Sequence, residues 1–374
     1  MRTRDLGIVI GTLDPGPNNA ITDVPGVRVG HTTLIVGEGP LRIGQGPIRT
    51  GVTVIQPHEG NIWKEPLFAG GHTLNGNGEM TGLEWLRESG TLTSPIAITN
   101  THSVGVVRDA LVVDAIAHHQ PDDEFWALPV VAETYDGTLN DINGLHIKPE
   151  HVMQALAAAS AGPVAEGNVG GGTGMICHDF KGGIGTASRV VPAESGGYIV
   201  GVLVQANYGD RERLQINGVP VGLAIPFSEV PEPDKPSQGR GSIIAVVATN
   251  APLIPTQCNR LAQRVGLGIG RIGGLGEHSS GDIFIAFSTG NRGQPIPTEE
   301  RNTGPLTVPL TMVTNAYISD LFEAVVEATE EAIVNALVAA ETMTGRDGNT
   351  AYKLPHNRLL EVMNNYSHIY TLPK

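Results

Sequence analysis

The stretch AIPFSEVPEPDKPSQGRG at 224–241 runs directly into SIIAVVA at 242–248, and the change of character at that junction orders the rest of the chain. The first part is rich in Pro and charge. It has neither the 3.6-residue period of an amphipathic helix nor the alternation of a half-buried strand, so it reads as an exposed connection. The second part is apolar at consecutive positions, the pattern of a strand covered on both faces. Similar runs lie at 52–56, 96–100, 128–133, 198–206 and 283–288, each bounded by turn residues. Ser242 opens its strand directly after Gly241, a residue type that permits backbone angles others resist. Taken alone, Gly-Ser at such a boundary is an ordinary turn.

Helical patterns separate these runs. Over 319–343 the apolar residues Phe322, Val325, Val326, Ile333, Ala336, Leu337 and Ala340 recur at helical spacing, with Glu323, Glu327, Glu330 and Glu331 elsewhere on the cylinder. Pro149 and Gly162 bracket a second helix at 151–161, a third spans 107–118 before Pro121, and a fourth covers 256–266. Strands and helices mix without repeating as βαβ units, which favours a layered α/β sandwich over a doubly wound sheet.

Composition excludes several function classes. A net charge of -14, from 24 Lys+Arg against 38 Asp+Glu, opposes a phosphate-neutralising surface and hence a nucleic-acid partner. Cys177 and Cys258 have no CxxC spacing, so they read as reduced thiols and not as a disulfide or zinc framework. The 12 histidines, the His118-His119 pair among them, form no HExxH, and neither a metal nor a cofactor is expected. GGGTG at 170–174 and KGGIG at 181–185 lack the phosphate-binding patterns and read as tight turns or close backbone approaches. No apolar run reaches the ~20 residues of a membrane span, and MRTRDLGIVIGTLDPG at the start is broken by Asp, Gly and Pro, so the expectation is a soluble, cytoplasmic protein.

A set of motifs then narrows the function: ITDVPGVRVGH (21–31), NGNGEMTG (75–82), ETYDGTLNDING (133–144), EGNVGGGTGM (166–175), KGGIGTASRVV (181–191), LVQANYG (203–209), GRGSIIAVVAT (239–249) and HSSGDIFIAFSTGN (278–291). Together they resemble the L-aminopeptidase/D-amidase/D-esterase and β-aminopeptidase family, in order and over nearly the whole chain. The resemblance implies one catalytic domain with a four-layer αββα sandwich, related to the N-terminal-nucleophile hydrolases but differently connected. It implies self-cleavage at Gly241-Ser242 into an α chain of 1–241 and a β chain of 242–374, and assembly as a homotetramer of such pairs. The activity implied is removal of N-terminal residues from small peptides, amides or esters, with β- or D-amino acids as possible substrates. An acyltransferase of related sandwich fold and a non-catalytic metabolite-binding protein are the alternatives.

Within that frame Ser242 is the nucleophile. A serine hydroxyl needs a base near operating pH, and an α-amino group at ~7.7–8.0 suits this better than a lysine at ~10.4. Cleavage would create that amine on Ser242 itself. Ser280 and Asp282 alternate along one extended segment and so point the same way; the family places their equivalents beside the nucleophile, with Asp282 holding the ammonium or relaying its proton and Ser280 bridging. Asn207 is the candidate oxyanion donor, its ordinary alternative being a strand-end turn residue. Tyr135 is a candidate phenol donor or pocket wall, against a buried packing edge. Recognition of a substrate ammonium calls for a carboxylate, and Glu133 is the choice over its rivals Asp136 and Asp141.

Overall fold

The computed structural model describes residues 1–119, 125–233, 241–292 and 306–367. Two sheets face each other. The first runs β1 (Arg28–Val36), β2 (Ile48–Gln56), β5 (Ile96–Asn100), β6 (Val130–Thr134); the second runs β4 (Thr91–Leu92), β3 (Leu67–Gly76), β12 (Gly281–Ser288), β11 (Ser242–Thr249), β10 (Ile199–Asn207), β9 (Gly183–Val190). Two ribbons pair β7 (Ile176–Cys177) with β8 (Phe180–Lys181), and β13 (Met343–Thr344) with β14 (Thr350–Ala351). The helices are α1 (Leu83–Ser89), α2 (Val104–Ala117), α3 (Pro149–Ala158), the single turn α4 (Val221–Ala224), α5 (Pro255–Ile272), α6 (Ile318–Ala339) and α7 (His356–Ser367).

The continuous apolar runs are explained by what covers them. On β11, Ile243, Ala245 and Val247 pack into a core shared with Leu261 and Val265 of α5 and Val325 and Ile333 of α6. Ile244, Val246 and Ala248 point the other way, into a core shared with Ile55, Ile98 and Ala132 of the first sheet. That sheet's outer face, with Val52, Val54, Ala97 and Val131, meets Val107 and Leu111 of α2 and Val152 of α3. The order helix, sheet, sheet, helix is the αββα sandwich expected.

Three features differ from the sequence reading. The connection at 224–241 is only partly accounted for, since 234–240 lie outside the described residues. Its first part is docked: Ile225 and Val230 are buried, and the Arg211 guanidinium donates to their carbonyls at 3.3 and 3.2 Å. The fourth helix continues past Gly266 to Ile272, because Gly268 is an approach point, where a Cβ would collide with Thr329 of α6. Finally, Glu327, Glu330 and Glu331 are buried and not on an open face.

Glu330 pairs with Arg271 of α5 at 2.7 Å, whereas Glu327 and Glu331 belong to a buried ionic cluster. The fully buried Arg189 of β9 donates to Glu327 Oε2 at 3.0 Å and to Glu331 Oε2 at 2.7 Å. Glu331 also accepts from Arg4 at 2.9 Å, and Glu327 from the backbone N–H groups of Thr12 and Leu13 at 2.6 and 3.1 Å. A guanidinium can saturate two carboxylates this way, and removing it strands Glu327 in the core without a cation and leaves Glu331 with Arg4 alone. Arg189→Met is therefore expected to cost about 3–5 kcal/mol of stability, read as a lower midpoint of chemical unfolding; a midpoint within error of wild type would contradict the account of the cluster.

Candidate active site

Ser242 is fixed from both sides by strand pairing. Across the antiparallel β10–β11 pair it faces Asn207, and across the parallel β11–β12 pair it aligns with Gly281. Its side chain shares the face of Ile244 and Val246, as Asn207 shares that of Gln205 and Leu203, so the two meet at the end of the space between the sheets. The lack of a side chain at Gly241 serves close approach, since a Cβ there would stand 2.6 Å from Tyr208 Cα and 2.7 Å from the Asn207 carbonyl oxygen.

One backbone donor serves both halves of the junction. The Gly281 N–H donates to Ser242 Oγ at 3.1 Å and to the Gly241 carbonyl oxygen at 3.2 Å. Sequence reasoning missed it because Ser-Gly-Asp was read for its side chains. Ser280 Oγ donates to Asp282 Oδ1 at 2.6 Å. These two lie on the other face of the sheet from the Ser242 hydroxyl: Asp282 alternates with Phe284 and Ala286 toward the helices, beside a small space lined by Tyr208 and Gly276. They thus approach Ser242 from its main-chain side. Burial raises the Asp282 carboxyl to about 6, against the opposing hydrogen bonds from Ser280 and the Ile243 backbone.

Asn207 is buried and its amide is oriented at both ends. Oδ1 accepts from the Ile176 N–H at 2.8 Å, and Nδ2 donates to the Tyr135 carbonyl at 3.0 Å, which leaves a second Nδ2 hydrogen. Tyr135 is half exposed and lines the pocket, which removes the reading as a buried packing edge. Its backbone carbonyl, and not its phenol, touches Asn207.

A cavity of about 590 Å³ opens onto Ser242, Asn207, Tyr135 and Glu133 together. Glu133 is buried in its wall. Its Oε1 accepts from the Glu79 N–H at 3.0 Å, and Thr101 Oγ1 donates to its Oε2. Burial pushes its carboxyl above the ordinary carboxylate range, with those two hydrogen bonds pulling the other way. The rivals do other work. Asp136 is fully buried, bonded to Asn140 at 3.0 Å and raised to about 7 by burial, while Asp141 accepts from the Gly44 and Gly46 N–H groups and from His146. Neither lines the cavity. Glu79, Asp179, Asp210 and Glu277 do, and they make its rim acidic; their spacing along the chain gave no signal.

The remaining motifs are structural. In GGGTG, side chains at Gly171, Gly172 or Gly174 would collide with neighbouring backbone, the close approach expected of it. Cys177 and Cys258 are buried, and burial raises both thiols to about 12. Among the described residues, no group of three or more His, Cys, Asp or Glu side chains is placed to hold a metal ion. Among them, too, no helix is long and apolar enough to cross a membrane.

A sequence profile of peptidase family S58 matches residues 19–351. The chain belongs to peptidase family S58. A β-peptidyl aminopeptidase, BapA, of Sphingosinicella microcystinivorans is 49% identical over 375 residues, covering 98% of this chain and 92% of that one. A solved β-aminopeptidase from Burkholderia sp. superposes with a TM-score of 0.91 at 55% identity, covering 100% of both chains. The L-aminopeptidase D-Ala-esterase/amidase of Ochrobactrum anthropi, described as a prototype for the serine aminopeptidases and a new variant of the Ntn hydrolase fold, gives 0.88 at 45% identity over 98% of this chain and 99% of that one. This S58 member is a hydrolase with an Ntn-type sandwich.

The raised Asp282 carboxyl sets a sign for the pH dependence. Only its ionised form can hold an ammonium, and that form is lost as pH falls through about 6. If Asp282 holds the Ser242 ammonium, the acid side of the kcat/KM profile carries a second limb near that pH, below the one set by the amine itself, and Asp282→Asn should be slow throughout and lack that second limb. A second limb that persists unchanged in the variant assigns it elsewhere.

Proposed function

We propose that this S58 member is a self-processing serine aminopeptidase that releases N-terminal residues, β-amino acids among them, from short peptides and amides. The observation that carries the reading is the shared cavity: a serine hydroxyl and an oriented amide at one part of its wall, and a buried carboxylate, Glu133, at another. The names of the S58 relatives support β-peptidyl substrates.

In the precursor, Ser242 Oγ attacks the Gly241 carbonyl, whose oxygen already accepts from the Gly281 N–H. The amide becomes an ester, water cleaves it, and Ser242 keeps a free α-amine. In turnover that amine takes the hydroxyl proton as Oγ attacks the substrate carbonyl, then delivers it to the departing amine. Asp282, with Ser280, steadies the ammonium formed in between. The Asn207 amide and the Gly281 N–H face the developing oxyanion, and water releases the acyl group from Ser242. Glu133 takes the substrate's ammonium, for which a buried carboxylate with raised affinity for protons is a matched partner. Assembly as a homotetramer of the cut pairs completes the reading, on the family resemblance.

Two measurements test it. β-Alanyl p-nitroanilide should be hydrolysed and its N-acetylated form very poorly, with Glu133→Gln shrinking the difference; equal kcat/KM for free and acetylated substrates in wild type would overturn the aminopeptidase reading. Intact-mass analysis of purified wild type should show pieces 1–241 and 242–374, apart from loss of the initiator Met, while Ser242→Ala stays whole, folded and inactive. A wild-type chain that turns over substrate uncut would sink the N-terminal-nucleophile mechanism.

A further inference from the structure

The chemistry above leaves a buried cation unused. Lys181, the last residue of β8, is fully buried, and its Nζ donates to three backbone carbonyls: Gly182 at 2.7 Å, Met175 at 2.8 Å and Gly172 at 3.3 Å. Three acceptors match the three N–H donors of an ammonium. Taking such a group out of water is expensive even when its hydrogen bonds are made, and an apolar residue would fill the volume at less cost. What the ammonium holds is therefore informative.

The three carbonyls flank one short hairpin. Gly172 and Met175 precede β7 and Gly182 follows β8, so the ammonium ties the two sides of the hairpin together at its base. Ile176 pairs with Lys181 and Cys177 with Phe180, around a two-residue turn in which His178 and Asp179 both have positive φ, 47° and 56°. Consecutive left-handed residues in a two-residue hairpin make a type I′ turn, which fits the twist of the strands but is uncommon without glycine or asparagine. The hairpin ends at the active site: the Ile176 N–H is the group that donates to Asn207 Oδ1. With Oδ1 occupied there and one Nδ2 hydrogen given to the Tyr135 carbonyl, the direction of the remaining Nδ2 hydrogen depends on where Ile176 sits.

We propose that Lys181 is a positioning residue for Asn207: its ammonium clamps the Gly172, Met175 and Gly182 carbonyls, fixes the Ile176 N–H, and so aims the amide at the oxyanion. This rests on the reading of Asn207 as oxyanion donor. Displacing a catalytic group by an ångström costs about 100-fold in rate, so Lys181→Met should lower kcat about 10- to 100-fold and leave KM nearly unchanged.

The test is a double-mutant cycle on an amino-acyl p-nitroanilide, with rates expressed per folded and processed chain by circular dichroism and intact mass. Lys181→Met should have no further effect in an Asn207→Ala background. Lys181→Gln, which keeps two N–H donors, should recover part of the lost kcat. An unchanged kcat in Lys181→Met, a loss confined to KM, or effects of the two substitutions that multiply would each overturn the proposal. Where Lys181→Met does not fold, Lys181→Gln takes its place in the same cycle under the same criteria. An Asn207→Ala enzyme with wild-type kcat would instead remove the oxyanion reading itself, an outcome separate from the behaviour of Lys181.

Discussion

Strand β11 is hydrogen-bonded on both sides, antiparallel to β10 and parallel to β12, and its first residue inherits its neighbours from that register. A shift of one residue would turn Ser242 toward the helices and bring Ile243 to the cavity. The two cores forbid the shift, because alternate residues of β11 fill each of them. Packing far from the site thus sets which groups flank the serine hydroxyl, and Asn207 and Gly281 need no contact of their own with each other.

Two pairs of buried carboxylates differ in how their charge is answered. Glu327 and Glu331 are taken out of water against the Arg189 guanidinium, and their charge is answered inside the protein. Glu133 and Asp282 are desolvated with hydroxyl and backbone donors only, and burial raises both. A carboxylate held so lacks a cation. Each sits where the proposed chemistry brings an ammonium, Glu133 in the cavity wall and Asp282 behind the main chain of Ser242. The cost of burying them is offset only when that cation is present.

Much of this was legible in the chain because the covered strands are apolar at every position: the run at 96–100 coincides with β5, and the one beginning at Ser242 with the start of β11. Strand β9 was not, since GIGTASRV buries small and polar residues that carry no hydrophobic period; Gly185 is there for contact with α6 and Arg189 for the ionic cluster. Strand β3, with its glycines and His72, was hidden for the same reason. At the site, the side chains Ser242, Ser280, Asp282, Asn207, Tyr135 and Glu133 were named from motifs; the sheet register sets Asn207 and Asp282 beside the start of β11, and Asn207, Tyr135 and Glu133 share a cavity with Ser242, while Ser280 and Asp282 lie on the other face. What escaped were main-chain donors, the N–H groups of Gly281, Glu79 and Ile176, which any residue type supplies and no motif marks.

The strand order of the larger sheet bears on the fate of a chain cut after Gly241. Strands β11 and β12 lie after the cut, yet they are seated between β3 and β10, which lie before it, and α6 grips β9 and the first residues of the chain. The two pieces are therefore interleaved within one sheet and not laid side by side. Parting them means opening both the β3–β12 and the β10–β11 ladders, along with the cores on either face. Severing the peptide bond alters covalent connectivity while leaving the architecture as inseparable as a clasp, and the new amino terminus stays where the old bond held it.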